Sequence, residues 1–229
     1  MIDTTNWSYF YKVDYAHKHN VTTNLLYTPT VSPDGSMLCM LWDENSEYQK
    51  ENTDLTEELI NFFFEREVKY LQLFQGKPWC PKLIELDLTA RKIIIEFNKE
   101  TFNHIVTDST RTLDLECPNW KEQIFEIVKD IHTMDYYKMA LYPHCFFVDA
   151  QGQIKTIDFY SFLEKQNRML EKKKIEGMIG RDSVGRFAEA TVGDKVDFGI
   201  FFERTMMTHL GRTWTDNPFP EYYTKINNG

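Results

Sequence analysis

One amphipathic stretch, bracketed by β-forming segments, most constrains what this chain can fold into. Between Asp54 and Gly76, Leu59, Phe62, Phe63, Val68, Tyr70, Leu71 and Phe74 recur near helical spacing and make a wide apolar stripe. Asp54 or Thr56 can cap the start, Glu57 and Glu58 suit the first turn, and Gly76 followed by Pro78 stops the helix. Before it, Trp7–Asp14, Thr22–Thr30 and Ser36–Glu44 read as strands, with Ser-Pro-Asp-Gly (32–35) as a turn, so the first third predicts an antiparallel meander. After it, Lys82–Phe97 reads as a hairpin turning around Leu88–Ala90, its second strand rich in isoleucine.

Beyond residue 98 the pattern becomes mostly helical. Asn119–Met134 carries Ile124, Ile127, Val128 and Ile131 on one side. Cys145–Phe159 reads as a second hairpin with Ala-Gln-Gly at its tip. The charged stretch from Phe162 to Met178 and the apolar one at Val196–Leu210 both read as helices, the latter buried. The expected class is α+β, with a small antiparallel β-rich lobe over residues 1–98 and a mostly helical lobe over 99–229.

Bulk composition narrows the function classes. A 42% apolar and 15% aromatic chain of 229 residues can bury a core. A net charge of −9 lacks the electrostatic footprint of a duplex nucleic-acid binder, although one local cleft can still hold a phosphate. Cys39, Cys80, Cys117 and Cys145 are widely spaced and read as reduced, packed thiols rather than zinc ligands. The N-terminal sequence has no signal-peptide pattern and no apolar run approaches membrane-spanning length, so the expectation is a soluble, cytoplasmic protein without a membrane partner.

The order of these segments resembles the protein kinase fold, and several stretches resemble it locally. FEREVKYLQLF (64–74) is similar to kinase helix C, with Glu67 at the position of its salt-bridging glutamate. KIIIEFN (92–98) is similar to the strand entering the hinge, which implies Ile95 as gatekeeper and Glu96, Phe97 and Asn98 facing adenine. DIHTM (130–134) is similar to the end of the helix before the catalytic loop, and QIKTIDF (153–159) to the strand carrying the metal-binding aspartate, here Asp158. DKVDFGIFF (194–202) resembles helix F, its first aspartate, Asp194, bracing the loop, and NPFPEYY (217–223) echoes the Pro-Phe that follows.

The departures from that family strip away its chemistry. The strand that should carry the phosphate-gripping lysine reads MLCMLWDE, placing Met40 or Leu41 in the slot. Lys138-Met139-Ala140 stands where His-Arg-Asp is expected, and Cys145 where the second metal ligand, an asparagine, belongs. Tyr15–Asn20 replaces the glycine-rich turn without a glycine, and Tyr160 replaces the glycine after Phe159. Phosphoryl transfer rests on positioning and charge neutralisation. Ala140 can accept no proton, and a thiol is a poor ligand for Mg²⁺. Two such losses, at several kcal/mol of barrier each, slow transfer by about 10⁴ or more.

The resemblance therefore implies a pseudokinase-like module that acts by binding a protein partner, with ATP and Mg²⁺ as candidate ligands. An active, atypical phosphotransferase or nucleotidyltransferase is the rival, with Asp158 holding metal and His144 or Asp149 replacing the lost acid. A ligand-free interaction module is the third reading. Individual residues keep two readings each. Asp158 is a metal or phosphate ligand, or an acid capping a turn; His144 is an acid–base group near its intrinsic pKa, or a hydrogen-bonded loop histidine. Glu67 pairs with Lys12 or another base, or lies on the surface. His17-Lys18-His19 contacts phosphate or is a solvated turn, and Lys172-Lys173-Lys174 is an exposed helix face or an acidic-partner contact.

Overall fold

The computed structural model describes residues 1–10, 27–43, 56–107, 110–138 and 143–167. Within them the chain is α+β and built on a five-stranded antiparallel sheet. Strands β1 (Ser8–Tyr9), β2 (Thr28–Val31) and β3 (Met37–Leu41) form the meander; β4 (Leu83–Asp87) and β5 (Lys92–Glu96) form the hairpin. Helix α1 (Glu57–Leu73) lies between β3 and β4 in sequence, and β5 inserts between them in space, giving the order β1-β2-β3-β5-β4. Central pairing sets Leu38 opposite Ile95 and Met40 opposite Ile93. Both strands are buried, so they read as continuous apolar runs rather than alternating ones.

The first turn was legible in its residues. Gly35 has φ +76°, and a Cβ there would sit 2.4 Å from Lys99 Cγ, so the turn requires glycine. Asp34 accepts hydrogen bonds from Ser32 Oγ at 2.6 Å and Ser36 N at 3.0 Å, and these pull its carboxyl down to about 2.

Helix α1 starts at Thr56, whose hydroxyl accepts from Leu59 N at 3.3 Å. Leu59, Ile60, Phe63, Phe64, Glu67, Tyr70 and Leu71 form its buried face, the i, i+3, i+4 stripe that the sequence predicts, displaced slightly from Phe62 and Val68. Replacing Thr56 with alanine is expected to cost about 1 kcal/mol, read as a lower denaturant midpoint at unchanged slope.

Past β5 come α2 (Phe102–Thr107), the single turn α3 (Leu113–Glu116) and α4 (Trp120–Thr133). Helix α4 buries Ile124, Ile127, Val128 and Ile131 as its spacing predicts. Asp130 ties it to the turn after α1, accepting from Trp79 Nε1 at 2.8 Å and Lys77 Nζ at 3.1 Å. Two short ladders follow: β6 (Tyr136–Lys138) with β9 (Phe162–Glu164), and β7 (Phe146–Val148) with β8 (Ile154–Thr156).

The β6–β9 ladder corrects the sequence reading, which placed Phe162 at the start of a helix. Phe162–Glu164 is extended, because pairing Lys138 with Phe162 and Tyr136 with Glu164 satisfies backbone that a helix would have satisfied locally. Residues 168–229 lie outside the described residues, as do the remainder of the proposed helix from 162, the segments 194–202 and 217–223, Tyr15–Asn20, Lys172–Lys174 and Ala140. One contiguous cluster of buried apolar residues runs from Phe10 to Leu163. Its aromatic centre joins the end of α1 to the 159–162 segment, with Phe74 and Phe162 centroids 4.8 Å apart and Phe159 and Phe162 stacked at 5.4 Å. Among the described residues no helix is long and apolar enough to cross a membrane.

Candidate functional site around Asp158

The site begins where the β7–β8 hairpin ends. Thr156 N donates to Trp79 O and Ile157 N to Cys145 O, both at 2.9 Å. The chain then turns sharply, because Asp158 adopts the left-handed conformation, φ 66° and ψ 57°, which aspartate tolerates better than most non-glycine residues. A single 3₁₀ turn, Phe159–Ser161, follows.

That backbone is held from below by a buried cation. Lys138, at 0% exposure, donates from Nζ to Ile157 O at 2.8 Å, Asp158 O at 2.9 Å and Ser161 Oγ at 3.0 Å. Ser161 Oγ also donates to Asp158 O at 2.7 Å. A buried ammonium is tolerated only when its donors are met, and three acceptors meet the three hydrogens of this one.

The Asp158 side chain is 1% exposed. Tyr27 OH donates to its Oδ1 at 2.7 Å, and the Cys145 thiol donates to its Oδ2 at 3.1 Å. Tyr27 is itself buried against Trp42, centroids 5.1 Å apart. Its burial, then the Asp158 charge and hydrogen bond, push its hydroxyl well above the usual phenol range. His144 occupies the 3₁₀ turn Pro143–Cys145 and is half-buried. One donor atom each from His144, Cys145 and Asp158 lie within 4.8 Å of one another.

Helix α1 closes the site from the other side. Glu67 is 0% exposed, which removes the surface reading. Its Oε2 accepts from Tyr160 N at 2.7 Å. Burial first, then the negative charge of Asp158, push its carboxyl up to about 7, while the Tyr160 N–H and the Lys138 charge oppose the rise. Its neighbour Arg66 donates from Nε to Tyr160 O at 3.0 Å and from its terminal nitrogen to Phe162 O. Helix α1 is thus fastened to residues 158–162 through an acid and a base. Met40, one of the two residues that the sequence resemblance puts in the lysine slot, is fully buried and paired with Ile93.

Of the other residues expected at the site, Glu96, Phe97 and Asn98 meet the β7–β8 hairpin. Ile95 is buried opposite Leu38. Glu96 pairs with Lys155 at 3.4 Å. Phe97 packs its ring on Phe147 at 4.9 Å, and Asn98 donates from Nδ2 to Val148 O at 2.8 Å. Asp149 caps its own hairpin turn, accepting from Gln151 N and Gln153 N at 2.9 Å.

Sequence reasoning singled out Asp158, Cys145, His144 and Glu67, and the structure brings the first three together with Glu67 close enough for its charge to be felt. It missed Tyr27 and the anchoring role of Lys138. A lysine at a strand end between apolar neighbours was the one available signal for the latter. The donor set at Asp158 is nitrogen, sulfur and oxygen. Mg²⁺ takes hard oxygens in near-octahedral array, so these residues do not fit it.

No family model matches the chain and no curated protein matches it in sequence. Among solved structures it is similar to monomeric WbdD, at TM-score 0.47 and 11% identity over 81% of this chain and 44% of that one. It is similar to the bifunctional kinase-methyltransferase WbdD at TM-score 0.47 and 10% identity, over 89% and 47%. A complex of WbdD with the kinase inhibitor LY294002 gives TM-score 0.46 and 12% identity, over 90% and 48%. The chain spans about half the length of these solved chains, and likenesses this distant leave its family open.

Proposed function

We propose that the chain is a kinase-like, catalytically degenerate module of two lobes meeting near Asn98, which acts by engaging a protein partner and does not transfer phosphate. The observation that carries this reading is the state of Asp158. In a phosphotransferase the equivalent acid must face metal and nucleotide. Here it is buried, with Tyr27 on one oxygen and the Cys145 thiol on the other. The helix between β3 and β4, with Glu67 aimed at the segment after Asp158, supports the kinase-like part of the reading. Met40 or Leu41 in place of the phosphate lysine supports its degenerate part.

Within this reading ATP is a candidate ligand, not a substrate, and Ile95, Glu96, Phe97 and Asn98 are the residues proposed to face its base. The test is transfer of labelled phosphate from ATP with Mg²⁺, together with thermal melting of the full chain. Expected are no incorporation above background and no stabilisation by Mg²⁺ beyond what ATP alone gives, since a ligand that binds must raise the melting temperature by mass action. Incorporation abolished by Asp158→Ala would overturn the proposal. It would favour instead an active enzyme using His144, whose place beside Asp158 is the one observation on that side. No shift with any nucleotide leaves the partner-binding reading and removes ATP from it.

A further inference from the structure

We infer that His144, Cys145 and Asp158 form a binding site for a thiophilic divalent cation of the zinc class. The inference stands on these three side chains whether or not the chain is kinase-like. Imidazole nitrogen, thiolate sulfur and carboxylate oxygen are the three donor types that zinc takes, and three protein ligands with one open position is a common zinc arrangement. The donor atoms already lie within 4.8 Å of one another, and Cys145 Sγ is 3.1 Å from Asp158 Oδ2. A tetrahedral ion with bonds of about 2.0–2.3 Å needs donors roughly 3.3–3.8 Å apart. The cluster reaches that geometry by small side-chain shifts.

The surroundings suit the ion as well. Cys145 and Asp158 are buried while His144 is half-buried, so one of the three ligands lies nearer the surface than the other two. Tyr27 OH holds Asp158 Oδ1 at 2.7 Å, which leaves Oδ2 turned towards the thiol, the orienting role that outer groups play at metal centres. Lys138 spends its hydrogens on the backbone carbonyls of Ile157 and Asp158 and on Ser161. On binding, the Cys145 S–H proton leaves to solvent and a metal–sulfur bond forms. Neutral imidazole, thiolate, carboxylate and a 2+ ion then sum to zero charge, which a buried site accommodates far better than an isolated ion. The alternative is that the thiol simply remains hydrogen-bonded to Asp158.

The experiment uses the full chain, stripped with chelator, and titrated with Zn²⁺ by calorimetry and with Co²⁺ by absorbance. Expected are one equivalent bound and a thiolate-to-cobalt charge-transfer band. Cys145→Ser should abolish the band and weaken Zn²⁺ binding by about 100-fold or more, at or beyond the upper end of what losing a supporting group costs. His144→Gln, at the half-buried position, should weaken binding while leaving the melting curve of the stripped protein unchanged. Cys39→Ser, which removes a buried thiol on β3, should alter neither. Should Cys145→Ser not fold, His144→Gln decides. Zn²⁺ affinity unchanged in His144→Gln, no cobalt–thiolate band, or Mg²⁺ binding as tightly as Zn²⁺ would each overturn the inference. None of these readouts measures phosphate transfer, so failure here is distinct from failure of the proposed function.

Discussion

Replacing Lys138 with alanine is expected to destabilise the protein by about 3–5 kcal/mol, the range for removing one partner from a buried charged network. The ammonium is fully buried and serves three acceptors: two backbone carbonyls and the Ser161 hydroxyl. Alanine leaves those carbonyls without the cation and opens a cavity beside Phe162, whose ring centroid lies 5.4 Å from Nζ. It also removes one of two donors to the Asp158 carbonyl, where the backbone is already left-handed, and leaves the Ser161 hydroxyl as the other. Lys138→Met separates these contributions, because it restores most of the volume and none of the hydrogen bonds. The expected order of stability in denaturant unfolding is wild type, then methionine, then alanine. Methionine should fall short of wild type by about 1–3 kcal/mol, the cost of leaving buried acceptors unmet. A methionine variant as stable as wild type would show that the lysine contributes volume alone.

What could be read in the residues beforehand follows a physical divide. Elements whose own spacing specifies them were visible. Helix α1 carries a stripe, a cap and a stop, α4 carries four apolar residues on one side, and both hairpins carry Asp or Gly turns. Strands β6 and β9 were not visible, because three-residue segments such as Tyr136–Lys138 and Phe162–Glu164 have no period of their own and exist only through each other. The same divide runs through the site. Asp158, Cys145 and Glu67 stood out because each falls at a marked place in a recognisable order. Tyr27 meets Asp158 across 131 positions, and no local pattern encodes such a meeting. The spacing of the cysteines argued against zinc; His144 stands next to Cys145 in sequence, but no local pattern shows that an aspartate 13 positions on folds to the same point.

Neutralising Glu67 is the second large effect, and its sign is fixed by the direction of the shift. The carboxyl is pushed from an ordinary 4.5 up to about 7 in the folded protein. The folded state therefore binds this proton more tightly than the unfolded chain. Its contribution to stability is fully present below about pH 4.5 and is lost as pH rises through about 7. A displacement of that size corresponds to roughly 3 kcal/mol, less whatever relaxation of the buried pair absorbs. Asp158 is the main charge facing Glu67, Tyr27 and Tyr160 stand beside it, and Lys138 is the cation that offsets them. Glu67→Gln keeps an oxygen to accept from Tyr160 N and removes the charge. Its unfolding midpoint should match wild type near about pH 4 and exceed it near about pH 8, with chelator present so that no cation adds its own pH dependence. Histidines titrating in the same window cancel in the difference between the two proteins. Parallel stability curves for the two across that range would show that the Glu67 carboxyl titrates alike in the folded and unfolded protein, and the electrostatic account of the site would fall with it.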